Sequence, residues 1–166
     1  MFKCGQQVVY GSHGVCQILQ METKNVDRKK VEYYVLEPMD QPDARFYVPA
    51  HNEAALAKLR PILSKQELDD LLVSEDADRN AWINDENQRK QRYRELITSG
   101  DRAALISMVR SLYQHKLAQQ AAGRKFHLCD ENFMRDAEKL LSSEFSLVLG
   151  IPASDVGSYI ESKLGK

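Results

Sequence analysis

The residues best suited to chemistry in this 166-residue chain are a tryptophan and the cations that follow it. Trp82 is the only tryptophan, and nine residues without an apolar side chain separate Ile83 from Tyr93. The cations in and just beyond that gap are Arg89, Lys90, Arg92 and Arg94. Arginine and lysine bind phosphates whatever the base sequence, and an indole can stack on a base or wedge into a groove. The stretch therefore indicates a nucleic-acid surface.

Two plainer interpretations of the same stretch stay open. The cations could form a basic face that is simply solvated, or one that neutralises the acidic helices elsewhere in the chain. A helix through the stretch places Trp82 on one stripe with Tyr93 and Leu96, as expected of a core residue. Glu86 and Arg89 interrupt that stripe for more than two turns, which favours a partly exposed indole.

Other site chemistries find little support in the residue spacing. Cys4, His13 and Cys16 lie near one another, but no CxxC pair exists, and structural zinc sites use clustered pairs of ligands. The Gly11–Gly14 turn precedes a strand, whereas a phosphate-binding loop opens a helix. No Gly-x-Ser-x-Gly motif, the pattern of a serine nucleophile, occurs. We therefore expect no enzyme activity, no catalytic residue, no metal and no cofactor.

Charge is concentrated although the net charge is only −1. Residues 61–88 carry 2 basic and 8 acidic side chains, and residues 89–125 carry 9 basic and 2 acidic ones. A basic segment of this kind attracts phosphates while the acidic remainder limits indiscriminate binding. No apolar run is long enough to cross a membrane, and the first ten residues have no signal-peptide pattern. Three cysteines, an odd number, favour a reducing compartment, and we expect a cytoplasmic protein.

The first sixty residues have the pattern of short strands divided by turns. We expect the strands at residues 7–10, 15–21, 31–37 and 45–50, with a polar hairpin tip at 24–30. This spacing predicts a small, strongly bent antiparallel sheet or barrel whose edge strand stays unpaired.

From His51 onward the apolar residues recur with helical spacing. A short helix is expected at 51–60, and Ser64 and Glu67 form a capping box for the next one. The serine and aspartates at 74–78 offer caps for a helix through Trp82 that ends at Gly100. Three further helices are expected: about 102–122 with Leu117 facing inward, one from near Asp130, and a last one capped by Ser154. The predicted fold is α+β, with domains at 1–60 and 61–166.

Several ordered motifs carry a family resemblance. They are GQQVVYGSHGVCQI, VEYYVLE, RFYVPAHN, a tryptophan near the head of a helix, SGD, and GRKFHLCDENFMRDAEKLLSSEF. Together they resemble the CarD/CdnL family of bacterial transcription regulators, in its longer-helix variants. The N-terminal part is also similar to the polymerase-binding module of transcription-repair coupling factor, although no helicase motif follows it here.

The resemblance implies a Tudor-like N-terminal module that docks on the RNA polymerase β subunit. It also implies a helical domain that contacts promoter double-stranded DNA at the upstream edge of the bubble, without reading sequence. There a tryptophan would wedge into the minor groove and stabilise the open complex. On this basis we expect a monomer with no membrane contact, associated with the nucleoid through RNA polymerase.

The resemblance also suggests site residues. Those expected to contact DNA are Trp82, Arg89, Lys90, Arg92, Arg94 and Lys125, and those expected to contact polymerase are Lys24, Val26, Arg45 and Tyr47. Two departures from the family pattern stand out. Tyr47 occupies a position that is basic in family members, and the chain between Trp82 and the Ser-Gly-Asp turn is a few residues longer. A different function also fits: a protein-interaction adaptor that binds no DNA and whose Tudor-like module binds peptide.

Overall fold

The computed structural model describes residues 1–74 and 82–164. The chain divides into two compact units, Met1–Ile62 and Leu63–Lys166. The first is built on an antiparallel five-stranded sheet and the second is helical, which confirms the predicted two-domain α+β fold. In the described residues, no helix is both long and apolar enough to cross a membrane, and no three potential metal ligands cluster.

The β unit has five strands in the spatial order β4-β3-β2-β1-β5. Their bounds are β1 Gln7–Tyr10, β2 Val15–Val26, β3 Lys29–Pro38, β4 Phe46–Pro49 and β5 Leu59–Pro61. The hairpin between β2 and β3 is longer than predicted, because ladder pairing continues as far as Val26 and Lys29. Only Asp27 and Arg28 form the tip, both with positive φ, as a two-residue hairpin turn of type I′ requires.

The stretch expected to be one short helix at 51–60 is a helix followed by a strand. Helix α1 covers only Glu53–Leu56, with Asn52 as its N-cap. Leu59–Pro61 then pairs antiparallel with β1, so the prediction that the helix continues to residue 60 is wrong. Pro61 lacks an amide hydrogen, which an edge strand tolerates. Strands β5 and β4 therefore end the sheet on its two sides.

The helical unit contains five helices in the described residues. They are α2 Lys65–Val73, α3 Glu86–Ser99, α4 Arg102–Ala121, α5 Leu128–Leu149 and α6 Ala153–Leu164. The capping box of Ser64 and Glu67 is confirmed, as are the left-handed Gly100 at the end of α3 and the Asp101 cap of α4. The caps expected at 75–78 lie outside the described residues.

Three expectations about the helical unit are corrected. Trp82 precedes α3, which is capped by Asp85, so the helical stripe assumed for the indole does not exist. Ser154 lies inside α6, which begins at Ala153. Leu117 is 44% exposed. It follows the buried Leu112 by five residues, a rotation of about 140° that turns it off the inward face of α4.

A pair of carboxylates sits where α5 meets α6. Glu138 lies against Gly157, where a Cβ atom would stand 2.9 Å from its Oε2 atom. Burial, together with the charge and hydrogen bond of Glu161, raises the pKa of Glu138 to about 7, although Lys116 and Arg135 act in the opposite direction. The folded state therefore binds a proton at Glu138 more tightly than the unfolded chain does.

This raised pKa predicts a pH-dependent stability. Since the folded pKa exceeds the ordinary value of 4.5, the contribution is complete below that value and is lost as pH rises to about 7. Urea unfolding of the wild-type protein between pH 4.5 and 8 should give a free energy of unfolding that falls across this window. In Glu138→Gln, the decrease should be smaller, and an unchanged profile would contradict the assignment.

Candidate nucleic-acid and protein interfaces

Trp82 lies in the short segment before α3 and is half-buried against the helical core. Two side chains hold its ring. The imidazole of His115, on α4, stacks on the indole with centroids 3.6 Å apart and an interplanar angle of 11°. The Cζ atom of Arg89 lies over the indole, 4.4 Å from its centroid. The indole therefore packs partly in the core and lies partly at the surface. Neither the core interpretation nor the interpretation as an exposed wedge applies alone.

Arg89 does not belong to an exposed row of cations. Its side chain is buried, with 6% of the residue exposed, and it donates two hydrogen bonds to the Asp130 carboxylate at 2.8 and 3.0 Å. Its Nη1 atom also donates to the carbonyl of Ile83 at 2.9 Å. The expectation of a solvent-facing phosphate contact at Arg89 is thus corrected, because the guanidinium is committed to the interior.

Asp130 makes this burial possible. It is 2% exposed and lies in the first turn of α5, where a carboxylate also complements the helix dipole. Burial alone would lower the pKa of Arg89, but the hydrogen bonds and charge of Asp130 outweigh it and raise that pKa. The pair joins the segment carrying Trp82 to the start of α5.

His115 is half-buried where it stacks on the indole. Burial lowers its pKa, and the charge of Arg89 lowers it further, while Asp130 opposes the shift. Its Nε2 atom lies 3.2 Å from the amide nitrogen of Gln119, which can only donate, so the ring nitrogen accepts. His115 also lies 6.3 Å from the Phe126 ring, measured between centroids. Lys125, which is expected to contact DNA, directly precedes Phe126 in the chain. It therefore lies one residue from the cluster of Trp82, His115 and Phe126.

The other predicted cations of α3 are partly or fully exposed. Lys90 pairs with Glu86 at 2.7 Å, and their hydrogen bond raises the pKa of Lys90 and lowers that of Glu86. Arg92 lies 3.6 Å from Glu95. Such exposed pairs are weak and exchange readily for other anions. Arg94 is exposed and has no ion-pair partner within residues 1–74 and 82–164, and the same holds for Lys125.

The basic segment 89–125 therefore divides into two classes. Arg102 forms a bidentate pair with Glu144 at 2.6 and 2.7 Å. Arg110 donates to the carbonyls of Leu72 and Ser74. With Arg89, these are three of the nine cations of the segment that stabilise the helical unit from within. The six that remain for a ligand are Lys90, Arg92, Arg94, Lys116, Arg124 and Lys125.

Two residues that hold the indole, His115 directly and Asp130 through Arg89, were not predicted from the sequence. His115 follows Leu112 by three residues and so continues the inward face of α4, a signal that periodicity contains. Asp130 gave no such signal, because an acidic residue in the first turn of a helix is common on the surface. Its partner Arg89 lies 41 residues earlier in the chain.

The residues predicted to contact a protein share one face of the β unit. Tyr47, on the edge strand β4, and Val26, at the end of β2, are each 41% exposed. The Lys24 Nζ atom lies 3.4 Å from the centroid of the Tyr47 ring, and Tyr33 packs edge-on against that ring. This arrangement leaves apolar and cationic groups side by side next to an unpaired strand edge.

Arg45 lies just before β4, and its own loop holds its guanidinium. The Nη1 atom donates to the carbonyls of Pro42 at 2.8 Å and Ala44 at 2.7 Å. It also meets the Glu37 carboxylate at 2.8 Å. Arg45 thus braces the entry to β4 and keeps only part of its donor capacity for a partner.

Comparison with known families agrees with this architecture. The CarD-like/TRCF RID domain matches residues 2–63, and the CarD C-terminal domain matches residues 70–161. The chain belongs to the CarD/CdnL family. Its two structural units correspond to these two matches in order. A CarD-type chain is an RNA polymerase-interacting transcription factor, and CarD-like regulators as a family are not enzymes.

Proposed function

We propose that this CarD-family protein stabilises the open promoter complex. Its β unit binds the RNA polymerase β subunit, and its helical unit binds promoter DNA at the upstream edge of the bubble without reading sequence. The observation that carries the proposal is the partly exposed Trp82, whose ring contacts His115 and Arg89 and which the exposed Arg92 and Arg94 follow in the chain.

On the DNA side, the indole is the wedge and the cations are its anchor. Opening a base step for an inserted apolar side chain costs a few kcal/mol, which contacts to the bent duplex offset. We assign phosphate contacts to Lys90, Arg92, Arg94 and Lys125. Arg89 was expected among them, but its ion pair with Asp130 suits it to holding Trp82 instead. Phosphate contacts carry no sequence information, in keeping with binding at many promoters.

On the polymerase side, the edge strand β4 and the face around it form the contact. An unpaired edge can accept a strand from a partner, and the neighbouring side chains then supply specificity. Val26 and Tyr47 would be the apolar anchors, and Lys24 the cation beside them. Arg45 would support this surface chiefly by fixing the start of β4.

Attachment to polymerase explains how weak DNA contacts become effective. A domain tethered next to the bubble acts at a high local concentration, so modest affinity for DNA suffices. On this proposal one monomer acts per polymerase, in the cytoplasm, and it reaches the nucleoid through RNA polymerase.

The partial burial of Trp82 also favours a second candidate. An indole that packs against the helical core could be purely structural, and the protein would then be a peptide-binding adaptor that does not touch DNA. The two candidates differ in one simple property, since only the first requires phosphate contacts.

The salt dependence of DNA binding tests the proposal. Wild-type affinity for duplex DNA should fall steeply with salt, and Arg94→Gln should reduce the slope of log K against log salt by about 0.9, the value for one phosphate. Lys139→Gln is the matched control, because Lys139 is an exposed cation of α5 more than two turns beyond Asp130. Affinity that ignores salt, or equal slopes for Arg94→Gln and the wild type, would favour the adaptor.

Truncation of Tyr47 tests the polymerase contact. An exposed aromatic anchor at an interface typically carries a large share of the binding energy, so Tyr47→Ala should weaken binding to polymerase by about tenfold or more. Met21→Ala is the control, since Met21 is similarly exposed but pairs with Tyr34 and thus lies on the opposite face of the sheet. Equal affinities of both variants in a polymerase pull-down or titration would remove Tyr47 from the interface.

A further inference from the structure

Trp82 has no regular structure of its own to hold it. It precedes the Asp85 cap of α3, so no helical hydrogen bond fixes its backbone. A wedge in such a segment would have to be ordered at the moment of DNA binding, and ordering a side chain and its backbone weakens association. The question is what fixes the indole before DNA arrives.

The Arg89 guanidinium contacts both the backbone of this segment and the indole ring. One nitrogen holds the carbonyl of Ile83, the residue next to Trp82, while the Cζ atom lies over the indole. The Nε and Nη2 atoms donate hydrogen bonds to the carboxylate of Asp130, which is buried at the start of α5. One planar group therefore links the backbone and the ring of the wedge to a rigid helix.

His115 completes the arrangement from α4. An imidazole stacked 3.6 Å from the indole, at 11°, restricts rotation of the ring. Gln119, one turn further along α4, fixes the imidazole in turn. Each of these contacts forms on folding, so their ordering cost does not fall on the encounter with DNA.

We propose that His115, Arg89 and Asp130 are positioning residues that preorganise Trp82 for contact with DNA. The inference rests on the proposed function, because it concerns how the same wedge is held. None of the three touches DNA in this account, and each acts through the indole. Loss of either contact to the indole would lower the effect on the promoter although every phosphate-binding cation remained.

The test starts with His115→Ala, which removes the stack without leaving a buried charge. Because Trp82 is the only tryptophan, intrinsic fluorescence reports on it alone. In His115→Ala, acrylamide should quench this fluorescence more strongly than in the wild type. The lifetime of a preformed open complex should fall about fivefold, the size expected for loss of one aromatic stacking contact. His115→Phe, which restores a flat ring, should recover both properties.

A double variant separates positioning from general stability. If His115 acts through the indole, His115→Ala should cause no further loss of lifetime in a Trp82→Ala background. An equal loss in both backgrounds would overturn the proposal, as would unchanged quenching or lifetime in a folded His115→Ala. If instead Trp82→Ala alone has the wild-type lifetime, the wedge function itself fails, whatever the fluorescence shows.

Asp130→Asn tests independently whether the ion pair of Arg89 with Asp130 helps to hold Trp82. This substitution weakens the ion pair with Arg89, so the quenching of Trp82 fluorescence should again increase and the open-complex lifetime should fall. Glu144→Gln is the matched control, since it weakens the comparable buried pair with Arg102 and leaves the residues around the indole intact. Similar changes in quenching and lifetime for these two variants would mean that any loss of a buried ion pair loosens Trp82, and would overturn the assignment of Asp130.

Discussion

Replacement of Arg89 by methionine should lower the free energy of unfolding of the helical unit by about 3–5 kcal/mol, the typical effect of breaking a buried ion pair. The reason is the partner left behind. Asp130 is 2% exposed, and without the guanidinium its carboxylate would have no ion-pair partner among the described residues. The carbonyl of Ile83 would also lose the Arg89 donor. Urea unfolding followed by circular dichroism measures the change.

Two further variants serve as the control and as the rescue for Arg89→Met. Arg92→Met removes an exposed pair with Glu95 and should cost at most about 1 kcal/mol. A double variant, Arg89→Met with Asp130→Leu, should recover much of the loss, because an apolar pair can replace a buried ion pair of similar volume. If Arg89→Met were as mild as Arg92→Met, the guanidinium would not be the buried anchor described here.

Local features of the fold were predictable because their determinants are close together in sequence. The capping box of Ser64 and Glu67, the left-handed Gly100 and the Asp101 cap each depend on residues within one turn. The approximate positions of β1 to β4 followed from the same kind of signal, although β2 and β3 extend further than predicted. These local features were sufficient to predict the α+β fold class without knowledge of any long-range contact.

The missed strand depends on a contact between distant parts of the chain. Leu59–Pro61 became a strand because β1, some fifty residues earlier, pairs with it. Local propensity gave no sign of that partner. The apolar spacing around it suggested a helix instead, and tertiary pairing overrode this weak preference.

The same limit applies to the candidate site. Sequence placed Trp82 beside cations but could not say which cations face solvent. Arg89 is as basic as Arg94, yet only Arg89 meets a buried carboxylate 41 residues away. The alternative interpretations of the indole each contained part of the answer, because Trp82 packs against the helical core and keeps an exposed part.

The second large effect concerns the wedge itself. Trp82→Ala should shorten the life of the open complex by roughly tenfold, since aromatic stacking on a base is worth about 1–3 kcal/mol in alanine substitutions. The variant should still bind polymerase, because the β unit is unchanged. It should also keep its salt-dependent DNA affinity, because Lys90, Arg92, Arg94 and Lys125 remain. Melting of the variant by circular dichroism separates this result from unfolding of a helical unit that has lost a partly buried side chain.

The most direct test of the central claim is the decay of a preformed open complex on a linear promoter after a competitor is added. Polymerase alone, polymerase with the wild-type protein and polymerase with Trp82→Ala are compared at one salt concentration. We predict slow decay with the wild-type protein, and with the variant a decay close to that of polymerase alone. Equal, slow decay with the wild-type protein and with a folded Trp82→Ala would contradict it.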